Sequence, residues 1–379
     1  MWRCLLLLPW VLCAEISVLY LSWYDDPTTT MTVQWHTIAD EYGDEISIQY
    51  PNGEWLSWQG EHVQVAAFLI HKVSLVDLEP DTEYSFRIGH DPQIYRFSTA
   101  PKTLEDPLRF VVGGDIYDNI KLFRRMSQTV LEHNPRFIVL SGDIAFSLSP
   151  HPFRTSAMKR WISFLKDWKH LMISKNGTVI PFLMIPGPHD IAPDHYELFF
   201  SLFAFPKKQL YRTVNFGNYL TLFLLDTGNF QPIEGCQTLW LEKELSSHTH
   251  VPYSFAVYHE SAYPSHGPYY DIIPKKIRTY WAPLFEKYRL IAAFEHHNHA
   301  FKRTYPIKAN QIDPDGIVYI SNGGWGSNYH TAKDLWYLEK KQRKGSVLLV
   351  ELHPQKALVE TIDLLNQSMD QVTFYPIKK

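Results

Sequence analysis

From Ile16 to about Ala100 the chain is a series of short apolar runs, most of them alternating with polar positions. ISVLYLSW, TMTVQWHT, EISIQY, AAFLIHKVSL, EYSFRIGH and QIYRFST are separated by Asp, Pro, Gly and Asn. Period-two runs bounded by turn residues predict strands, and six or seven of them in about 85 residues predict an all-β sandwich. In LEPDTEY, Leu78 to Tyr84, a Tyr follows a Pro-containing turn, where a tyrosine corner would pin such a sandwich. APKTLEDP, Ala100 to Pro107, reads as a linker.

The pattern changes at Leu108. PLRFVVGGD is a buried-type strand, and Ile120 to His133 follows with Ile120, Phe123, Met126, Val130 and Leu131 at helical spacing. RFIVLSGD is another strand, and Met158, Trp161, Leu165, Trp168 and Met172 mark a second amphipathic helix. VIPFLMIPGPHD, YLTLFLLDTG, YSFAVYHE and RLIAAFEHHNH are further apolar runs. This alternation predicts layered α/β structure. The basic run from Lys340 to Lys344, ahead of the strand SVLLVEL, reads as a solvated turn.

Before Ile16, Arg3 precedes an apolar run from Leu5 to Leu12, and Cys13–Ala14 follows. Residues 1–14 read as a secretory signal. The run is too short to span a bilayer, which needs ~20 apolar residues, and no later segment is apolar enough. Export to a periplasmic or secreted location is therefore expected. Cys4 and Cys13 lie in the leader, so counting excludes an intramolecular disulfide in the processed chain. Cys236 reads as a buried small hydrophobe rather than a catalytic thiol. A chain of 379 residues with 45% hydrophobic and 20% charged residues supports a sizeable core. Its formal net charge of −4 gives no electrostatic case for a nucleic-acid partner.

The candidate chemistry collects where apolar runs end. VVGGD delivers Asp115, IVLSGD delivers Asp143, and MIPGPHD delivers His189 and Asp190; AVYHE delivers His259, and AAFEHHNH delivers His296, His297 and His299. Carboxyl ends of strands in an α/β sheet are where ligands bind. Carboxylates and imidazoles repeated there are hard to read as packing, because buried charge is costly unless a compensating charge such as a divalent metal pair is present.

GGDIYD, SGDIAF, GPHD, VYHESAYP and EHHNHAFKRT, in that order, resemble the motifs of the calcineurin-like metallophosphoesterases, in the branch similar to purple acid phosphatases. The N-terminal segment, residues 15–100, resembles a fibronectin type III domain, also a feature of that branch. The resemblance implies a four-layer α/β/β/α sandwich over residues 108–379, preceded by the all-β sandwich. It implies that Asp115 and His299 bind a first metal, that Asp143 bridges, and that His259 and His297 bind a second. His189 would lie beside the phosphate as a hydrogen-bond or proton donor. Two cations clamp a phosphoryl group and lower the pKa of bound water. Carboxylate and imidazole suit Fe, Zn or Mn without choosing among them.

Three residues depart from the family pattern. Pro188 stands where the family has a ligating Asn, leaving the second site with Asp143, His259, His297 and water. Phe146 stands where purple enzymes have an iron-binding Tyr; Tyr117, two residues after Asp115, is a candidate ligand from the other side, or a packing residue. His296 replaces a Gly, and it or Glu295 either supplies the missing contact or is structural. Tyr263, His266 and Arg303 are candidates for the substrate pocket, His266 and His296 being the substrate-binding candidates retained. Asp226 reads as structural or as support for the site.

The resulting expectation is an exported phosphohydrolase, a phosphomonoesterase in the manner of acid phosphatases. Metal-activated water or hydroxide would attack phosphorus, and the substrate would be a phosphorylated small molecule or phosphoprotein. The rival expectation is a degenerate relative acting as an extracellular binding or adhesion module, motivated by Pro188 and Phe146.

Overall fold

The computed structural model describes residues 16–38, 42–148, 156–203, 205–206 and 209–377; the signal-type run with Cys4 and Cys13 lies outside them. The alternating residues of the N-terminal segment build two four-stranded antiparallel sheets. One runs in the order Val18–Ser22, Met31–Thr37, Phe68–Leu75, Glu61–Val65, and the other Trp55–Gln59, Glu45–Gln49, Glu83–Ile88, Tyr95–Ser98. The strands Trp55–Gln59 and Glu61–Val65 are additional to the expected runs; they leave most of their side chains exposed although they carry Trp55, Leu56, Trp58, Val63 and Val65. The expected tyrosine corner is present: the Tyr84 hydroxyl accepts the Glu79 backbone N–H at 2.7 Å.

Val18–Ser22 and Met31–Thr37 are buried on both faces. Leu19, Leu21 and Trp35 face the sandwich core, while Tyr20 stacks on Phe182 of the following domain at 5.7 Å and donates to the Leu202 carbonyl. Trp23 meets Phe137 and Phe216 edge-on, and Arg212 Nη1 donates to the Trp23 carbonyl at 2.6 Å. The two parts of the chain therefore share one continuous apolar core.

From Leu108 onward two mixed sheets form. The six-stranded sheet runs Phe182–Ile185, Phe137–Ser141, Leu108–Gly113, Ser346–His353, Lys356–Asp363, Ser368–Phe374. The seven-stranded sheet runs Arg212–Phe216, Leu220–Leu224, Tyr253–Val257, Ala292–Glu295, Val318–Ser321, Phe301–Thr304, Leu338–Gln342. Phe110, Val112 and Val139 of the first sheet and Leu222, Phe255 and Phe294 of the second belong to the same core between them. On the outer face of the first sheet lie the helices Ile120–Glu132 and Ala157–Met172, packing Phe123, Met126, Trp161 and Trp168. Leu241, Ile277 and Phe285, from the helices Cys236–Ser247, Ile272–Tyr280 and Ala282–Lys287, cover the second. The four layers α/β/β/α follow. Asn119 and Ser156 cap the first two helices by accepting N–H groups of their first turns.

Two local expectations need correction. The basic run is only half a turn: Lys340 and Lys341 lie in the edge strand Leu338–Gln342, where charged side chains discourage pairing with another sheet, and Arg343 and Lys344 form the bend before Ser346. Cys236 is exposed at the start of its helix rather than buried, because Gln237 and Leu241 supply the inward face.

Tyr84→Phe removes the acceptor of the Glu79 N–H and should cost about 1 kcal/mol in denaturant unfolding. Unchanged stability would show that the corner does not tie the sandwich.

Candidate metal centre

The parallel strands Leu108–Gly113, Phe137–Ser141 and Phe182–Ile185 end side by side, delivering Asp115, Asp143 and His189. Pairing continues into the loops, with Asp115 N–H donating to the Gly142 carbonyl at 3.0 Å and Ile116 N–H to the Asp143 carbonyl at 2.8 Å. From the facing sheet, Tyr253–Val257 and Ala292–Glu295 deliver His259, His297 and His299. The gap between the sheets is closed by His297 N–H donating to Asp115 Oδ2 at 3.0 Å. Gly142, at φ +80°, makes this approach possible: a Cβ there would lie 2.2 Å from His259 Nδ1.

Asp115, Asp143, His297 and His299 all have positive φ, 48° to 70°. For residues other than glycine this costs of the order of 1–3 kcal/mol each, and it collects at functional sites where surrounding bonds enforce it.

The imidazoles are oriented by the backbone. His259 Nδ1 meets the Ser141 carbonyl and His299 Nδ1 the Asn328 carbonyl, both at 2.9 Å. A carbonyl only accepts, so each Nδ1 carries a proton and each Nε2 is left to face a carboxylate. His259 Nε2 lies 3.3 Å from Asp143 Oδ2, and His299 Nε2 lies 3.1 Å from Asp115 Oδ1. Among the described residues, His259 Nε2 and Asp115 Oδ1 are buried without a hydrogen bond. A lone pair turned onto a carboxylate calls for a positive charge between them, so these residues fit cations.

The electrostatics agree. Burial alone would raise the carboxyls of Asp115 and Asp143, but His299 beside the first and His259 beside the second hold both below the usual range. Burial opposes charge on His259, yet Asp143 and Asp115 push its pKa up to about 10, and Asp115 raises His299. The same field attracts a metal ion. Ligand atoms of Asp143, His259 and His297 all lie within 4.8 Å of one another.

A cleft of about 500 Å³ opens over this group, lined among others by Asp143, His189, His297 and His299. His189 is held there by its N–H to Asp143 Oδ1, at 2.9 Å, and by stacking on Phe146 at 5.2 Å. His266 is exposed at the cleft wall with its ring 4.7 Å from that of His330, which stacks on His299 at 4.8 Å.

Several candidates lie elsewhere. Tyr117 points away from the ligand group: its hydroxyl donates to Asp167 Oδ2 at 2.7 Å and its ring packs on Phe123 and Phe164. His296 is buried behind the cleft with Nδ1 on Asn322 Oδ1 at 2.6 Å, and burial lowers its pKa to about 4, so it does not face substrate. Glu295 is consumed by Lys302, the Tyr258 hydroxyl and the Ala262 N–H. The Tyr263 hydroxyl binds Asn310, Arg303 pairs with Asp370 and Glu339, and Asp226 caps the turn at Asn229, Phe230 and Gln231. Sequence reasoning gave no role to Glu260 or His330, both on the cleft wall. Asp190, named at its strand end without a role, accepts the N–H groups of Ile144, Ala145 and Gly187 and so clamps the Asp143 loop. Burial and the neighbouring Asp143 push the Asp190 carboxyl up to about 7. Glu260 could have been noticed from its place directly after His259; His330 sits in a loop with no motif.

The Lys302–Glu295 pair, fully buried under the loop that carries His259, makes a direct test of this scaffold. Lys302→Met leaves Glu295 without its counter-charge and should destabilise the chain by ~3–5 kcal/mol in chemical denaturation; a neutral effect would contradict it.

Residues 17–100 match the purple acid phosphatase N-terminal domain, and residues 108–301 match the calcineurin-like phosphoesterase family. Purple acid phosphatase 23 of Arabidopsis thaliana is 26% identical over 301 residues, covering 68% of this chain and 63% of its own length. Acid phosphatase type 7 of Mus musculus is 22% identical over 362 residues, covering 81% and 77%. The chain spans between 54% and 63% of the length of four such Arabidopsis relatives. A purple acid phosphatase from yellow lupin (Lupinus luteus) seeds superposes with a TM-score of 0.76 at 15% identity, over 94% of this chain and 73% of that one. PhoD superposes with a TM-score of 0.66 at 11% identity, over 95% and 88%. Both structural likenesses concern the fold. The matched domains, together with strand ends that carry the expected carboxylates and imidazoles, make this chain a member of the calcineurin-like phosphoesterases, with the purple acid phosphatase N-terminal domain ahead of the phosphoesterase domain.

Proposed function

We propose that the chain is a metal-dependent phosphohydrolase acting on phosphomonoesters. The observation that carries this reading is the pair of imidazoles, His259 and His299, whose Nε2 atoms face the buried carboxylates of Asp143 and Asp115 beneath an open cleft. Asp115 and His299 would hold one ion, His259 and His297 the other, and Asp143 would touch both. When bound, such a pair supplies positive charge to the phosphoryl oxygens and acidifies water for in-line attack.

The chain's own residues do the rest. His189, at the cleft wall, is placed to hold a proton toward an oxygen of the substrate and to release it to the leaving group. Phe146 fixes the plane of that ring by stacking. His266 and His330 offer ring nitrogens along the same wall, suited to the outer oxygens of a phosphate. The half-open cleft suits a phosphorylated small molecule or the side chain of a phosphoprotein. The donor set suits Fe, Zn or Mn. The apolar run after Arg3 supports work in an exported, periplasmic or secreted setting, and among the described residues no helix is long and apolar enough to cross a membrane.

The binding-module reading has Pro188 and Phe146 in its favour. Against it stand the strained loops and unpartnered ligand atoms, which a module without metal would have no reason to keep.

Mature chain loaded with Mn, Zn or Fe should hydrolyse a chromogenic aryl phosphate, and Asp143→Asn should abolish turnover; equal turnover by that variant contradicts the reading. His189→Ala should retain its metals and lower kcat by ~10²–10⁴-fold, the usual contribution of a general acid. Chelation should lower the thermal midpoint and metal should restore it, since a ligand that binds only the native state stabilises it.

A further inference from the structure

The three imidazoles of the ligand group are not held alike. His259 and His299 are fixed by backbone carbonyls at Nδ1 and offer Nε2. His297 is inverted. Its Nδ1 is buried without a hydrogen bond among the described residues, and its Nε2 lies 3.5 Å from Glu260 Oε2. The His297 ring stands edge-on to His259 with centroids 5.3 Å apart.

We propose that Glu260 is the positioning partner of His297: its carboxylate takes the Nε2 proton as a hydrogen bond and leaves Nδ1, as a bare lone pair, for the ion shared with Asp143 and His259. This rests on the metal-dependent reading above and adds a residue which that reading does not need.

Local geometry favours the role. Successive residues at a strand end point to opposite sides, so His259 turns in to Asp143 while Glu260 turns out to the cleft wall beside His297. Glu260 stands outside the group of mutually close ligand atoms, as a supporting residue does. Among the described residues its carboxylate has no Lys or Arg within 4.0 Å, and His297 is its partner.

The chemistry favours it too. An imidazole without a fixed acceptor divides between two tautomers, and the one protonated at Nδ1 cannot bind a metal there. A carboxylate acceptor selects the right tautomer and raises the basicity of the ligating nitrogen more than a carbonyl does. Pro188, on the neighbouring loop, brings no side-chain donor to this ion, so the strength of His297 matters more. A carboxylate left free on the cleft wall would repel a phosphate; one hydrogen-bonded to a ligand imidazole has its charge largely offset.

The full chain, stripped by a chelator and titrated with Zn2+ alone, should take up two ions. Glu260→Ala should weaken one of them by ~10–100-fold and leave the other unchanged, with an unaltered circular dichroism spectrum. Glu260→Gln, which keeps a neutral acceptor, should recover part of that loss. In a His297→Ala background, Glu260→Ala should cost nothing further, because the two act as one unit. Two ions bound with equal affinity by wild type and Glu260→Ala would overturn the role of Glu260 and leave the metal centre standing. Losses that add in the double variant would overturn it as well, since Glu260 would then act independently of His297. A wild-type chain that binds no Zn2+ would instead remove the metal-dependent reading, and this inference with it.

Discussion

Two ionised carboxylates, Asp115 and Asp143, sit fully buried at the ends of neighbouring parallel strands. Buried charge of one sign is tolerated only when opposite charge and hydrogen bonds compensate it. The compensation is layered: His297 N–H and His189 N–H bind one oxygen each, and His299 and His259 turn a ring nitrogen toward another. These contacts explain why four residues of the group accept a left-handed backbone. They also explain why His259 and His299 are tied through Nδ1 to carbonyl groups, which sets the nitrogen that each presents.

The rest of the molecule holds those strand ends still. Two sheets packed face to face bring chain segments more than 180 residues apart into one hydrogen bond, His297 N–H to Asp115. Beneath the seven-stranded sheet's loops, the buried Lys302–Glu295 pair fixes the turn that follows His259, through Glu295 accepting the Ala262 N–H. The N-terminal sandwich is packed against the six-stranded sheet through Tyr20 and Trp23 rather than hung from a linker. The cleft wall beside those strand ends carries the half-buried His189 and the exposed His266 and His330.

Much of this was legible in the sequence because it is written as period. Apolar runs that end in Asp or His mark buried strands whose loops carry polar side chains, and the clustered carboxylates and imidazoles were found that way. Strands exposed on both faces, such as Trp55–Gln59, carry no such signal. Side-chain direction was the other blind spot. Spacing placed Tyr117 two residues from Asp115, but Asp167 on the helix Ala157–Met172 captures its hydroxyl, and no local pattern announces that partner. His296 and His297 are adjacent, yet one is buried on Asn322 and the other reaches the cleft; only the facing sheet decides which. Glu260 and His330 lie outside any repeated spacing and gain meaning only from what they stand beside.

The most direct test of the central claim is a crystal structure of the metal-loaded chain with anomalous scattering recorded at the absorption edge of the ion supplied. Two peaks should appear, one within bonding distance of Asp115 and His299, the other of His259 and His297, with Asp143 touching both. No peak, or peaks away from these five side chains, would mean that the buried carboxylates are balanced by protons alone and that the account of the site is wrong.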